Sequence, residues 1–152
     1  MHRIKKGQYG YIKSQRKIEI IKTLSLFLLS LAMFLRARGC SEELYQKVSA
    51  HTGTLPCLYD NVLTSYESTF EIPHMVFCGN NLIGIAVNPK CKTAACEKHL
   101  QAMCAQNSIR DVNIKIFQDI PKYLNRLDQL QELSVEDTQT EAVLSLVKAI
   151  SI

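Results

Sequence analysis

The pattern of apolar and polar positions changes period several times along this chain, and each change marks an element. Thr23–Leu35 is a block of thirteen uncharged residues, relieved only by Thr23, Ser25 and Ser30. From Ser41 the pattern turns helical. Ser41 is a cap, Glu42 and Glu43 fill the first turn, Leu44, Tyr45 and Val48 form the apolar face, and Gly53 stops the helix. Between Pro56 and Val87 the residues become β-rich. "FEIPHMVFCG" and "LIGIAVNP" read as two strands around a Gly79-Asn80-Asn81 hairpin turn, with "LYDNVLTSY" as a further strand upstream. After Pro89, "TAACEKHLQAMCAQN" places Cys96, Leu100, Met103 and Cys104 on one helical stripe. "VNIKIF" alternates Val112, Ile114 and Ile116 on one strand face. Asp119 caps another helix, with Pro121 in its first turn and Ile120, Tyr123 or Leu124, Leu127 and Leu130 as its stripe. Ser134 opens a last helix to about Ala149, with Asp137 at the capping-box position. The predicted body is a small α/β (or α+β) domain in the order α-β-β-β-α-β-α-α, preceded by a short N-terminal apolar helix.

Charge divides the chain in the same places. Its 152 residues carry a net charge of +4, but residues 1–22 hold seven basic side chains against Glu19 alone. Arg36 and Arg38 follow the apolar block, and residues 39–152 carry a net charge of −4. The expected organisation is a basic segment (1–22), a membrane-associated apolar helix (23–38) and a cytosolic α/β domain (39–152). A basic N-terminus serves nucleic acid or anionic lipid. Beside an apolar block, lipid is the better partner, because each juxtamembrane cation gains roughly 1 kcal/mol near an anionic surface.

Four readings of the apolar block compete. A cleaved signal peptide fits the basic start, but Arg36 and Arg38 fall where small neutral residues should precede the cut. Lipoprotein processing at Cys40 is opposed by Arg38 in Ala37-Arg38-Gly39-Cys40. A soluble core helix should have a polar face, and this block has almost none. A transmembrane or half-inserted helix remains. Ile18–Leu35 gives eighteen residues, roughly 27 Å of helix, provided that Lys22 snorkels and Glu19 sits at the headgroups. Positive charge on both flanks leaves a single span without a clear orientation.

The opening "MHRIKKGQYGYI", the "GCSEELYQKVSAHTG" after the apolar block and "NPKCKTAACEKHL" together resemble a family of small uncharacterised bacterial membrane proteins. The resemblance covers nearly the whole chain and implies location at the cell membrane, with the body in the cytoplasm. Family members have a longer hydrophobic region, implying two spans with both ends cytoplasmic. Here that region is much shorter, as though the first half of one span were joined to the second half of the next.

Candidate chemistry is sparse. The six cysteines, at 40, 57, 78, 91, 96 and 104, are expected as free thiols in a cytosolic body. Cys91, Cys96 and His99 are candidate metal ligands. Cys96 and His99 share a helical face, but the C-x4-C-x2-H spacing is not the paired C-x2-C of structural zinc, and a fourth ligand would have to come from His74 or Cys78. No catalytic residue, cofactor or metal is therefore assigned. His51 belongs to a helix end, and neither it nor His2 has an identifiable partner in the sequence. "GQYGY" lacks the spacing and context of a phosphate loop, and neither Gly-x-Ser-x-Gly nor His-Glu-x-x-His occurs.

One further likeness concerns residues 56–118. "FEIPHMVFCGNNLIGIAVNPK", the helix with "KHLQAM" and the strand "VNIKIF" are similar to the nuclease-related domain family, a branch of the restriction-endonuclease-like fold. The resemblance implies a strand beginning with Asp beside His, and a hairpin partner ending with Glu-x-Lys. Overlaid here, the Asp position is Pro73, the His is kept as His74, the Glu position is Ala86 and the Lys position is Asn88. The expectation is an uncharacterised membrane-associated protein whose cytosolic domain is a non-catalytic binding or structural unit, nucleic acid being disfavoured as a partner. The contrasting expectation is a metal-dependent nuclease-like enzyme or a nucleic-acid-binding domain of the same fold.

Overall fold

A computed structural model describes residues 4–22, 35, 37–133 and 138–151. Residues 23–34, most of the apolar block, and Arg36 lie outside them. Among the described residues no helix is long and apolar enough to cross a membrane.

The chain is a mixed α/β protein. Helix α1 (Tyr11–Lys22) precedes α2 (Glu42–Thr52), β1 (Cys57–Thr64), β2 (Thr69–Cys78) and β3 (Asn81–Ile85). Then come α3 (Thr93–Gln106), β4 (Asn113–Phe117), α4 (Ile120–Glu132) and α5 (Thr140–Ile150). The four strands lie in the order β1-β2-β3-β4, antiparallel up to β3 and parallel between β3 and β4, with α3 as the crossover. From α2 onward the order is α-β-β-β-α-β-α-α, as the periodicity indicates.

Local chemistry accounts for the elements. Gly79 and Asn80 both have positive φ, 56° and 58°, so the β2–β3 connection is a two-residue hairpin turn that suits Gly and Asn. Ser41 caps α2 by accepting from Leu44 N, and Asp119 caps α4 by accepting from Lys122 N with Pro at the helix start. Thr138 and Gln139 form a turn and the last helix begins at Thr140, later than its expected start; Ser134 and Asp137 lie outside the described residues.

The sheet is covered on both sides. On one, Cys96, Leu100 and Cys104 of α3 and Val143 and Val147 of α5 meet Phe70, Ile72, Met75, Phe77 and Leu82. On the other, Leu44 and Val48 of α2 and Tyr123, Leu127 and Leu130 of α4 meet Val76, Cys78, Ile83 and Ile85. Gly84 sits where Ile72, Met75 and Ile116 converge, and a Cβ there would lie 2.8 Å from Ile72 Cγ2. The outer edge of β1 is shielded by both ends of the chain, through bridges from Gly7 to Tyr59 and from Ser151 to Leu63.

Strand alternation breaks at one place. Ile72 and Met75 of β2 enter the same core, as do Leu58 and Leu63 of β1, although each pair is an odd number of residues apart. Between them the ladder pairs Tyr59 with His74 and Asn61 with Ile72, but not Asp60 with Pro73. Pro73 has no N–H to give to the ladder, and Asp60 adopts φ 56°. Both strands therefore change faces together, and the Asp60 carboxylate is freed from the sheet edge for another use.

Candidate functional site

Asp60 is buried, and its carboxylate joins two distant segments. Oδ1 accepts from Cys40 N at 2.6 Å and Oδ2 from Ile12 N at 3.1 Å. Ile12 lies in the first turn of α1, where an anion faces the positive end of the helix dipole. Cys40 lies just after the apolar block. Burial pushes the Asp60 carboxyl pKa up, while amides of Cys40, Ile12 and Gly10 and the charge of Lys13 pull it back. Around this anchor Tyr11, Ile12, Ala37 and Val62 form a small core of their own. The Arg16 guanidinium also donates to the Ala37 carbonyl. The basic N-terminal segment is thus built into the body from residue 4 onward, and both flanks of the apolar block rest on one surface.

That surface lies at one end of the sheet, where β1 ends, β2 begins and β3 ends. Two adjoining cavities open there, about 430 and 600 Å³, sharing Glu71, Asn88 and Lys90 in their walls. Arg38, Gly39 and Pro73 line the larger one, Ala37, Cys91 and Lys92 the smaller. Glu71 Oε1 accepts from Arg38 N at 2.6 Å and Gly39 N at 2.9 Å, which holds the chain leaving the apolar block against β2. Asn88 folds the opposite wall: its Oδ1 accepts from Lys90 N at 3.0 Å and its carbonyl from Cys91 N at 3.0 Å. Leu35, Tyr66 on the β1–β2 turn and Val87 are exposed large apolar side chains at this end.

Two of the four positions overlaid from the nuclease resemblance reach this groove. Pro73 and Asn88 line the groove, and Ala86 is buried directly after β3. None of the three supplies an anionic oxygen for a metal. Among the described residues Glu71 is the one carboxylate in the groove walls, and it is engaged by two backbone amides. His74 points away from the groove into the core, with no exposed surface. Its Nδ1 is 2.7 Å from the Tyr123 hydroxyl and its Nε2 3.4 Å from Thr52 Oγ1. Thr52 in turn donates to the Val48 carbonyl. Burial without a counter-charge drives the His74 pKa down to about 3, so the ring is neutral and structural.

The candidate metal ligands are dispersed in role. Cys91 is half-buried in the groove wall, Cys96 is fully buried in the core, and His99 packs near Phe70 with Nε2 buried and without a hydrogen bond among the described residues. Among the described residues no group of three or more His, Cys, Asp or Glu side chains is placed to hold a metal ion. Burial raises the Cys96 thiol to about 12 and also raises Cys91, which feels the Glu71 charge. Neither thiol is an activated nucleophile. No disulfide joins any of the six cysteines. His51, for which the sequence offers no partner, sits 2.7 Å from Asp128 Oδ1 at the surface. Sequence reasoning missed the groove because its walls come from three separate stretches, around residues 38, 71 and 90. The Arg38, Lys90 and Lys92 charges were the available signal.

No protein family, curated protein or solved structure matches this chain.

Proposed function

We propose that this protein is a one-sided membrane-associated protein. Its apolar block enters the cytoplasmic leaflet and returns, and its α/β body is a non-catalytic binding or structural domain in the cytoplasm. The observation that carries this reading is the Asp60 carboxylate, which receives amides from both sides of the block. A single span would separate those flanks by the whole bilayer. Crossing a hydrocarbon core of about 30 Å and returning needs about 60 Å of chain. Residues 23–36 are fourteen in number, and even fully extended they reach about 48 Å. A dip into one leaflet fits both that length and the positive charge on both flanks. Free thiols throughout the body suit a reducing compartment.

The test is fractionation of the full chain. It should pellet with membranes and resist an alkaline wash, and replacing both Leu28 and Leu29 with Lys should release it. Each charge placed at membrane depth costs about 2.5–3.5 kcal/mol on insertion scales. Wild-type protein that stays in the supernatant as a monomer without detergent would refute the reading.

The nuclease-like alternative is favoured by one observation, that Pro73 and Asn88 line the same groove. Metal-assisted phosphodiester cleavage needs oxygen ligands to hold the ion and stabilise developing charge, and Glu71 alone is a poor set. Incubating the protein with DNA and RNA and Mg²⁺ or Mn²⁺ should give no cleavage. Cleavage abolished by Glu71→Ala would restore the enzymatic reading.

A further inference from the structure

We propose that the groove at this end of the sheet is a headgroup site, taking the phosphate of an anionic lipid in the leaflet that the apolar block enters. The inference rests on the one-sided membrane reading and assigns to it a specific ligand chemistry. Arg38, Lys90 and Lys92 line one continuous groove against, among the described residues, a single carboxylate, Glu71. Among the described residues none of the three cationic side chains has an ion-pair partner. Glu71 is already satisfied by the amides of Arg38 and Gly39, so it draws little on those cations. Asn88 and Ser68 add neutral hydrogen-bonding groups to the walls. The start of α3, which has neither a side-chain cap nor an acidic residue in its first turn, adds partial positive charge beside Lys92.

Placement selects a lipid as the source of the phosphate. Arg38 is three residues beyond Leu35, the end of the apolar block, so in the one-sided reading the groove mouth lies where that block meets the bilayer surface. The exposed side chains of Tyr66, Val87 and Leu35 lie at this end, as apolar groups that can rest among headgroups beside a basic recess. The cations attract the phosphate, the recess orients it, and the apolar rim and block supply a binding increment that does not depend on lipid charge.

The experiment uses the full chain in flotation with vesicles of phosphatidylcholine alone, or of phosphatidylcholine containing one part in three of phosphatidylglycerol. Wild-type protein should bind both and favour the anionic vesicles. Each cation near an anionic surface contributes roughly five-fold. The double variant Lys90→Gln/Lys92→Gln should therefore lose about thirty-fold of the anionic preference while keeping its binding to phosphatidylcholine. Lys47→Gln/Arg110→Gln removes the same charge elsewhere and should lose far less. Equal losses in the two double variants would overturn the site in favour of diffuse charge. If the double variant Leu28→Lys/Leu29→Lys still binds neutral vesicles as the wild type does, the membrane reading fails separately from the headgroup site. Glycerol 3-phosphate in solution provides the other arm. Shifts of the Asn88–Lys92 amide signals without any vesicle binding would identify a free phosphate ester and overturn the lipid assignment. No response in either arm would overturn the site altogether.

Discussion

Replacing Asp60 should loosen both flanks of the apolar block at once. In Asp60→Ala the Ile12 and Cys40 amides lose their acceptor in a buried site, which costs about 1–3 kcal/mol for each orphaned N–H. Ala also resists the φ of 56° at this position, adding about 1 kcal/mol. Burial raises the Asp60 carboxyl pKa, so removing an ionised group from this site returns part of that cost. The net loss should be about 2–5 kcal/mol. Asp60→Gly tolerates the positive φ and should lose about 1 kcal/mol less than Ala. Asp60→Asn keeps one oxygen and the φ, needs no buried charge, and should lose about 1–2 kcal/mol. Urea unfolding at pH 7 measures the loss, and hydrogen exchange reports on the Ile12 and Cys40 amides. If Asp60→Ala loses less than about 1 kcal/mol, or if only one of the two amides gains exchange, a single carboxylate does not hold both flanks.

Three further outcomes concern the body. His74 is neutral in the fold with a pKa of about 3, whereas the unfolded chain titrates near 6.5. Its contribution is therefore complete above about pH 6.5 and lost as pH falls toward 3, about 2 kcal/mol between pH 6.5 and 5; His74→Gln should remove that part of the slope in urea unfolding. Gly84→Ala places a Cβ 2.8 Å from Ile72 and 3.2 Å from Ile116, so it should destabilise by about 1–3 kcal/mol through overpacking, measured by thermal or urea unfolding. All six thiols should react with a thiol reagent once the protein is unfolded without reductant. In the folded protein at pH 8, Cys40 and Cys96 should be the slow ones, since burial raises both to about 12.

Much of the body was legible because it repeats short periods. The Gly79-Asn80 turn, the Cys96–Leu100–Cys104 stripe and the Asp119 cap with Pro121 each depend on neighbours within one or two turns, and all form in the structure, whereas Met103, expected on the same stripe, is only half-buried. What escaped depends on distant partners. Among the described side chains of α1, Tyr11, Ile12 and Gln15 are buried, too few for a visible stripe among so many cations. Its docking comes from Asp60, some fifty residues away, and from Arg16 reaching Ala37. The face change at Asp60 and Pro73 has a local cause, a missing N–H and a left-handed residue, but one Pro in a β-rich run does not say which face follows. His74 reads as a possible ligand until Tyr123 and Thr52 are seen to occupy both of its nitrogens. The last helix starts at Thr140, six residues after the expected Ser134, since periodicity places a helix better than it bounds one. A truncation at Gly39, natural from charge and hydropathy alone, would remove the Ile12 partner of Asp60 and the Gly7 bridge to β1.

Topology measured in sealed vesicles tests the central claim most directly. The full chain, with one epitope tag at each terminus, is reconstituted so that protease acts from a single side without detergent. If both flanks of the apolar block rest on one body, the two tags are cut together in every vesicle, or protected together in those of opposite orientation. Any population in which one tag is digested while the other survives until detergent is added would mean that the chain crosses the bilayer, and the one-sided account would be wrong.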